Sequence, residues 1–375
     1  MKKLMIFHPT IAPYRIDFFN DLAKRFDTQI YLYYENLKSQ TFDYEQIKKK
    51  FEFTPHYMKE MCSIGGRTLY WGHISEILKN QPDIVIVGEY SFGAWCATLA
   101  RKFSCKKFTI VTICDDSVKI AEECRGFRRK SRHLLLKELD GIILGNESVQ
   151  EWYQLYCNVS TFVFPIIHKD QVFREELSHT LSNSDALIKQ MNLIGKKILL
   201  FVGRLVQEKN VEYLVRSFIQ AHNHNREMVL FIVGDSGSSD GSVEKTCKEL
   251  IKKMDAGNYI YMVGHKEEKE LLMYFTTAQI LILPSYYEPF GAVVNEALLA
   301  GEYVMVSENA GAASLVSNQN GEIIQINRPY IEFDKMLEKI TPCEEHVRLR
   351  ENLMPYAYDE KMQGLVQWLN RMSDK

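Results

Sequence analysis

Short apolar runs punctuate the chain, each long enough to cross a sheet once. They occupy residues 4–7, 30–33, 84–87, 108–113 and 141–144 in the first half, and 198–202, 229–233, 259–263, 279–283 and 303–306 in the second. Segments of helix length and mixed charge separate most of them. This alternation predicts an α/β protein whose strands form parallel sheets with helices on both faces. Five runs on either side of the middle predict two halves of similar size, divided as 1–167 and 168–356. The polar segment 169–192, rich in Ser, Asn and charge, reads as the connection between them. Near the end, Met362, Val366 and Leu369 are spaced for one face of an amphipathic helix over 358–372. No tandem repeat or low-complexity tract interrupts the pattern.

Composition narrows the class without changing it. The 375 residues suffice for two cores, with 46% hydrophobic and 25% charged residues, a soluble globular balance. A formal net charge of −2 provides no general attraction for nucleic acid or for an anionic membrane. A local patch would be needed, and Arg125, Arg128, Arg129, Lys130, Arg132, His133 and Lys137 form the one basic stretch singled out. It reads either as a solvated helix face or as a lodging place for a phospholipid surface or a pyrophosphate-linked acceptor. Cys62, Cys96, Cys105, Cys114, Cys124, Cys157, Cys247 and Cys343 include no Cys-x-x-Cys pair, so reduced thiols are expected rather than a zinc or dithiol site. The basic opening is followed by an apolar run too short for an export signal, and no segment approaches the roughly 20 apolar residues of a membrane span. A cytoplasmic protein is expected, at most peripheral at the inner face of the membrane.

Candidate chemistry concentrates in the second half. The run 279–283 ends at Pro284-Ser285, a loop carries Tyr286, Tyr287 and Glu288, and good helix formers extend from Gly291 to Gly301. A helix start offers unpaired N–H groups and partial positive charge, so Phe290, Gly291 and Ala292 can cradle an anion such as a diphosphate. Gly291 allows close approach to its backbone. Glu288 precedes this anion site and Glu296 lies beyond it on the helix, a rise of roughly 7 Å from Gly291, about the span between a sugar ring and a ribose joined by a diphosphate. Upstream, the run 198–202 leads into Gly203, Arg204 and Lys209, a planar fork and a point charge suited to phosphate oxygens. Gly234, Gly264 and His265 follow two later runs. In the first half, Tyr14 and Arg15 follow the first run and Cys114-Asp115 follow the fourth, on the side of an open sheet where ligands bind. Arg15 reads equally as a ligand for an anion or as a solvated cation at a helix start, and Cys114 as a packed side chain.

Two strings carry a family resemblance. Pro284-Ser-x-x-Glu-Pro-Phe-Gly-x-x-x-x-Glu-Ala-x-x-x-Gly301 and Phe201-Val-Gly-Arg-Leu-x-x-x-Lys-Asn210 resemble the donor-site motifs of retaining glycosyltransferases of family 4, among the group 1 glycosyltransferases. The resemblance implies two Rossmann-like domains facing across a cleft (GT-B). The C-terminal one would bind a nucleotide-diphosphate sugar and the N-terminal one the acceptor, with the last helix, 357–375, packing back on the latter. It implies that Glu288, Arg204 and Lys209 are catalytic. Gly203, Gly234, Gly264, His265, Pro289, Phe290, Gly291, Ala292 and Glu296 complete the donor site, and Tyr14, Arg15 and Asp115 contact the acceptor. Two positions depart from the family pattern: Pro-Tyr-Arg stands where a glycine-rich turn is frequent, and Cys114-Asp115 where His-Asp is frequent. The implied partners are a UDP-sugar and a glycan or lipid-linked acceptor in cell-surface polysaccharide synthesis, with no metal, no resident cofactor and no nucleic acid. Two alternatives share the architecture. One is a non-hydrolysing sugar-nucleotide 2-epimerase, which would lack the Phe-Val-Gly-Arg-Leu-x-x-x-Lys-Asn string; the other is a catalytically silent partner of another transferase.

Overall fold

All ten apolar runs form strands in a computed structural model that describes residues 1–35, 44–64 and 67–374. The chain divides into two compact units, Met1–Ile166 with Tyr358–Lys375, and Ile167–Ala357.

The first unit opens with β1 (Lys3–His8), α1 (Ile16–Arg25), β2 (Asp27–Leu32), α2 (Tyr44–Lys49) and β3 (His56–Tyr57). A hairpin of β4 (Glu60–Ile64) and β5 (Arg67–Tyr70) leads to α3 (His73–Asn80), β6 (Ile84–Gly88), α4 (Phe92–Phe103) and β7 (Thr109–Cys114). Then come α5 (Val118–Glu123), α6 (Gly126–Leu136), β8 (Gly141–Leu144), α7 (Glu147–Tyr156) and β9 (Ser160–Val163). The seven-stranded sheet runs β3-β2-β1-β6-β7-β8-β9, and every pairing is parallel. All residues of β6, β7 and β8 are buried, as strands covered on both faces must be.

The second unit contains α8 (Asp170–Ser178), α9 (Leu181–Gln190), β10 (Lys197–Val202), α10 (Val211–His222), β11 (Met228–Val233), α11 (Ser242–Lys253) and β12 (Ile260–Gly264). It continues through α12 (Glu268–Thr277), β13 (Ile280–Leu283), α13 (Val293–Ala300), β14 (Tyr303–Ser307), β15 (Gly321–Ile324) and α14 (Asp334–Leu337). Its six-stranded parallel sheet has the order β12-β11-β10-β13-β14-β15. Val211, Leu214, Val215 and Phe218 recur at helical spacing on α10 and pack into one cluster with Phe201, Leu230 and Met336. Burying Phe218 alone contributes about 2–3 kcal/mol.

The last helix, α15 (Tyr358–Ser373), belongs to the first unit. It buries Tyr358, Met362, Leu365, Trp368 and Leu369, while Val366 is only half-buried. Trp368 Nε1 donates to Ser160 Oγ at 2.9 Å, and the Tyr358 ring meets Phe164 edge-on.

Two expectations are corrected. Segment 169–192 is not a connection: it forms α8 and α9, inside the second unit. Most of its polar residues face outward, while Phe173, Leu177, Thr180, Ser184 and Ile188 are buried, and both helices pack against α12. The basic stretch is also not uniformly solvated. Arg132 is buried, ion-paired with Asp116, hydrogen-bonded to the Tyr153 hydroxyl and stacked 4.4 Å over the Tyr90 ring. It is a core cation of the first unit, with a buried carboxylate to offset its desolvation.

Candidate functional site

In an open parallel sheet the ligand site lies beyond the carboxyl ends of the strands, where the strand order reverses. In the second unit that reversal falls between β10 and β13, which pair at Leu199↔Ile280 and Leu200↔Leu281. The loops leaving these two strands hold Gly203, Arg204 and Lys209, and Glu288 to Ala292. Topology alone therefore brings together the two strings singled out in the sequence.

Hydrogen bonds sew the loops to each other. Backbone N–H groups of Tyr286 and Tyr287 both donate to the Glu208 carbonyl, and the buried Asn210 side chain donates to the Pro284 carbonyl at 3.2 Å. A third segment closes the other side: Gly311 N–H donates to Glu288 O at 3.1 Å and Ala312 N–H to Phe290 O at 2.7 Å. Between these supports Lys209 Nζ forms a direct ion pair with Glu288 Oε2, both side chains being largely withdrawn from solvent. Such a pair holds each charge in place while its partner offsets the desolvation. Arg204, by contrast, is exposed.

The turns after β10, β11 and β12 form a shelf beside Arg204. Gly203 N–H donates to Val233 O, Gly234 N–H to Gly264 O at 2.8 Å, and Leu205 N–H to Asp235 O at 2.7 Å. Gly234 has φ +134°, and a Cβ there would lie 2.0 Å from the Gly203 carbonyl oxygen. No side chain fits this position. His265 sits beyond the shelf, exposed, with Nε2 2.9 Å from Glu267 Oε1.

Helix α13 begins at Val293 and not, as expected, at Gly291. Gly291 adopts φ +94° and turns the chain into the helix, and a Cβ on it would lie 2.7 Å from Leu283 Cδ2. Phe290 is buried and Pro289 exposed, and the first helical turn starts after Ala292, with Val294 N–H donating to Gly291 O at 3.0 Å. Glu296, in the first turn of α13, is hydrogen-bonded by a residue that the sequence reading missed. His168 Nε2 lies 3.1 Å from Glu296 Oε1, the His168 backbone N–H donates to Asn295 Oδ1 at 2.8 Å, and the ring stacks on Phe173. The imidazole N–H fixes one carboxylate oxygen of Glu296 and leaves the other to accept further bonds.

In the first unit the order reverses between β1 and β6. Arg15, in the short 3-10 turn Pro13–Arg15 that also carries Tyr14, is buried and ion-paired with the partly exposed Asp115 beyond β7. The solvated reading of Arg15 does not hold, because the side chain is buried and engaged by Asp115. Cys114 is fully buried and its thiol is pushed far up by burial, in keeping with a packing role. Glu89, at the end of β6, was not singled out in the sequence. It has φ +50°, rare for a residue with a side chain, and its N–H donates to Ile113 O at 2.7 Å. Desolvation, then the neighbouring Asp116 and Asp115 carboxylates, raise its pKa. His8, at the end of β1, is held by burial down at about 4 and is neutral at pH 7.

Comparison with known proteins agrees with this geometry. Residues 183–360 match the family model described as glycosyl transferases group 1, a span that encloses both switch-point loops. An uncharacterized glycosyltransferase of Methanocaldococcus jannaschii is 29% identical over 125 residues, covering 33% of this chain and 30% of that protein. The 2-deoxystreptamine N-acetyl-D-glucosaminyltransferase of Niallia circulans is 26% identical over 156 residues, 42% of this chain and 39% of that one. The chain thus spans well under half the length of these curated relatives. Among solved structures, HepE of Anabaena in complex with UDP has a TM-score of 0.68 at 14% identity, covering 100% of this chain and 98% of that one. Identity so low speaks for the fold alone, the two Rossmann-like domains of the GT-B architecture. Over residues 183–360 this chain is similar to the group 1 glycosyl transferases.

Proposed function

We propose that this protein is a retaining glycosyltransferase of family 4 that moves a hexosyl group from a nucleotide-diphosphate sugar to a glycan or lipid-linked acceptor of a cell-surface polysaccharide. The observation that carries the reading is the Lys209–Glu288 pair beside exposed Arg204 and the start of α13, all at one switch point. UDP is the favoured nucleotide, supported by the UDP bound to HepE, which shares the fold.

In the reaction the bond from the anomeric carbon to the diphosphate oxygen breaks, leaving positive charge on the sugar ring and negative charge on the departing diphosphate. Arg204, Lys209 and the free N–H groups at the start of α13 stabilise the leaving group. Glu288 holds sugar hydroxyls through the oxygen not engaged by Lys209. Glu296, braced by His168, accepts from the ribose hydroxyls. The acceptor hydroxyl forms its new bond on the face the diphosphate leaves, and its proton passes to a diphosphate oxygen. No enzyme nucleophile takes part, and configuration is retained. The Arg15–Asp115 pair, with Tyr14, would orient the acceptor.

Incubation with a panel of UDP-, GDP- and ADP-sugars, with and without a polysaccharide acceptor fraction, tests this reading. Free nucleotide released only with acceptor is the expected result. An epimerised donor would replace the reading with an isomerase, and no turnover on any donor would leave a silent partner of another enzyme. Because cations on the chain neutralise the diphosphate, EDTA should leave the rate unchanged; loss of activity that magnesium or manganese restores would overturn the metal-independent mechanism. His168→Phe keeps the stacked ring but removes the N–H that holds Glu296. It should raise the donor KM about fivefold, the worth of one hydrogen bond of about 1 kcal/mol, with kcat little altered. An unchanged KM would separate Glu296 from donor binding.

A further inference from the structure

In the first unit, α4 is apolar on two sides. Ala94, Ala97 and Ala100 face the sheet core, while Phe92, Trp95, Leu99 and Phe103 form a stripe at helical spacing that is open to solvent, Phe103 being 69% exposed. On α6, Phe127, 86% exposed, shares an outward stripe with Leu134. The two stripes are neighbours, because Trp95 Nε1 donates to Ser131 Oγ at 3.0 Å, and Phe127 and Leu134 lie one turn on either side of Ser131. Isolated exposed apolar residues need no explanation, but six in one contiguous patch do.

Cations are interleaved with the apolar residues. Lys102 lies on the α4 stripe, and Lys130 and Lys137 follow Phe127 and Leu134 at steps of three, so that α6 reads Phe, Lys, Leu, Lys along one face. All three are exposed, with Arg128 and Arg129 exposed at the flank. Aromatic and leucine side chains mixed with lysines characterise surfaces that lie in the headgroup region of a bilayer, the rings entering the acyl boundary and the ammonium groups meeting phosphates.

We infer that the α4–α6 face of the first unit is a docking surface for an anionic phospholipid bilayer. Charge selects this occupant over a second copy of the chain. An isologous dimer through this patch would set the lysine-bearing surface against its own copy, like charges in a drying interface. A membrane carrying anionic lipid presents the opposite charge across the whole area. The inference stands apart from the transferase reading, since docking needs neither donor nor acceptor. It also redraws the basic site: the buried Arg132 takes no part.

The test is flotation of the full chain, without nucleotide or sugar, on phosphatidylcholine vesicles with and without roughly 30% phosphatidylglycerol. Binding is expected to the anionic vesicles only, and to fall with added salt. Phe127→Ser with Leu134→Ser, and separately Lys130→Gln with Lys137→Gln, should each lower partitioning about tenfold with unchanged melting temperature. Three outcomes would overturn the assignment: no flotation of the wild-type chain, flotation that neither variant weakens, or a concentration-dependent dimer abolished by the serine variant while vesicles stay unbound.

Discussion

Arg204→Ala should lower kcat about a hundredfold while leaving the melting temperature unchanged. The expectation rests on the contrast between the two cations of the switch-point loop. Lys209 is tied to Glu288 in the free protein, so removing it leaves a largely buried carboxylate without its partner. That loss alone costs about 3–5 kcal/mol of stability and would confuse a loss of catalysis with a loss of fold. Arg204 is exposed and supports no core, so its removal touches only what the ligand feels. Its guanidinium presents a planar fork to diphosphate oxygens, and the charge it meets grows as the sugar bond breaks. A contact that strengthens in the transition state appears in kcat more than in KM. Arg204→Lys should recover only part of the rate, because a point charge cannot replace bidentate bonds. Steady-state kinetics on the folded variant decide the matter: wild-type turnover in Arg204→Ala would remove this residue from the leaving-group site.

The parts legible in the sequence were those written in local strings. Central strands announced themselves because cover on both faces makes them apolar throughout, as in β11, where every residue is buried. Of the edge strands β12 did, but β9 and β15 did not. In β9 only Val163 is buried, and in β15 only Gly321 and Ile324, so Ser160–Val163 and Gly321–Ile324 have weak patterns. Composition misled at 169–192, where Ser and Asn outweighed the helical spacing of Phe173 and Leu177 and of Ser184 and Ile188. The same limit held at the site. Arg204, Lys209 and Glu288 stand in contiguous motifs, whereas the His168–Glu296 contact joins residues 128 apart and Arg15–Asp115 residues 100 apart. Such partners are chosen by strand order, which no local window contains. Glu89 escaped for a different reason: its signal is a backbone dihedral, and nothing in Val87-Gly-Glu-Tyr90 announces it.

Gly234→Ala should destabilise the second unit by about 3–5 kcal/mol, among the larger effects of a single methyl group. Two costs combine. The residue must hold φ +134°, a region that side chains avoid, and its Cβ would lie 2.0 Å from the Gly203 carbonyl oxygen and 2.9 Å from its carbonyl carbon. Neither atom can turn aside as a flexible side chain would. Relief requires moving the turn after β10 away from the turn after β11, and that movement breaks the Gly203 N–H to Val233 O and Gly234 N–H to Gly264 O bonds. Arg204 follows Gly203 directly, so donor affinity should fall together with stability. Gly264→Ala separates the two costs, because Gly264 also has positive φ, +76°, but no atom lies within 4 Å of its would-be Cβ. It should lose only about 1 kcal/mol. For a unit of this size each kcal/mol shifts the transition by roughly 2–4 °C, so calorimetry should place the Gly234→Ala transition about 10 °C below wild type and Gly264→Ala only a few degrees below. Two variants melting together would mean that the β10 and β11 turns are not in the contact described, and that the shelf beside Arg204 is built some other way.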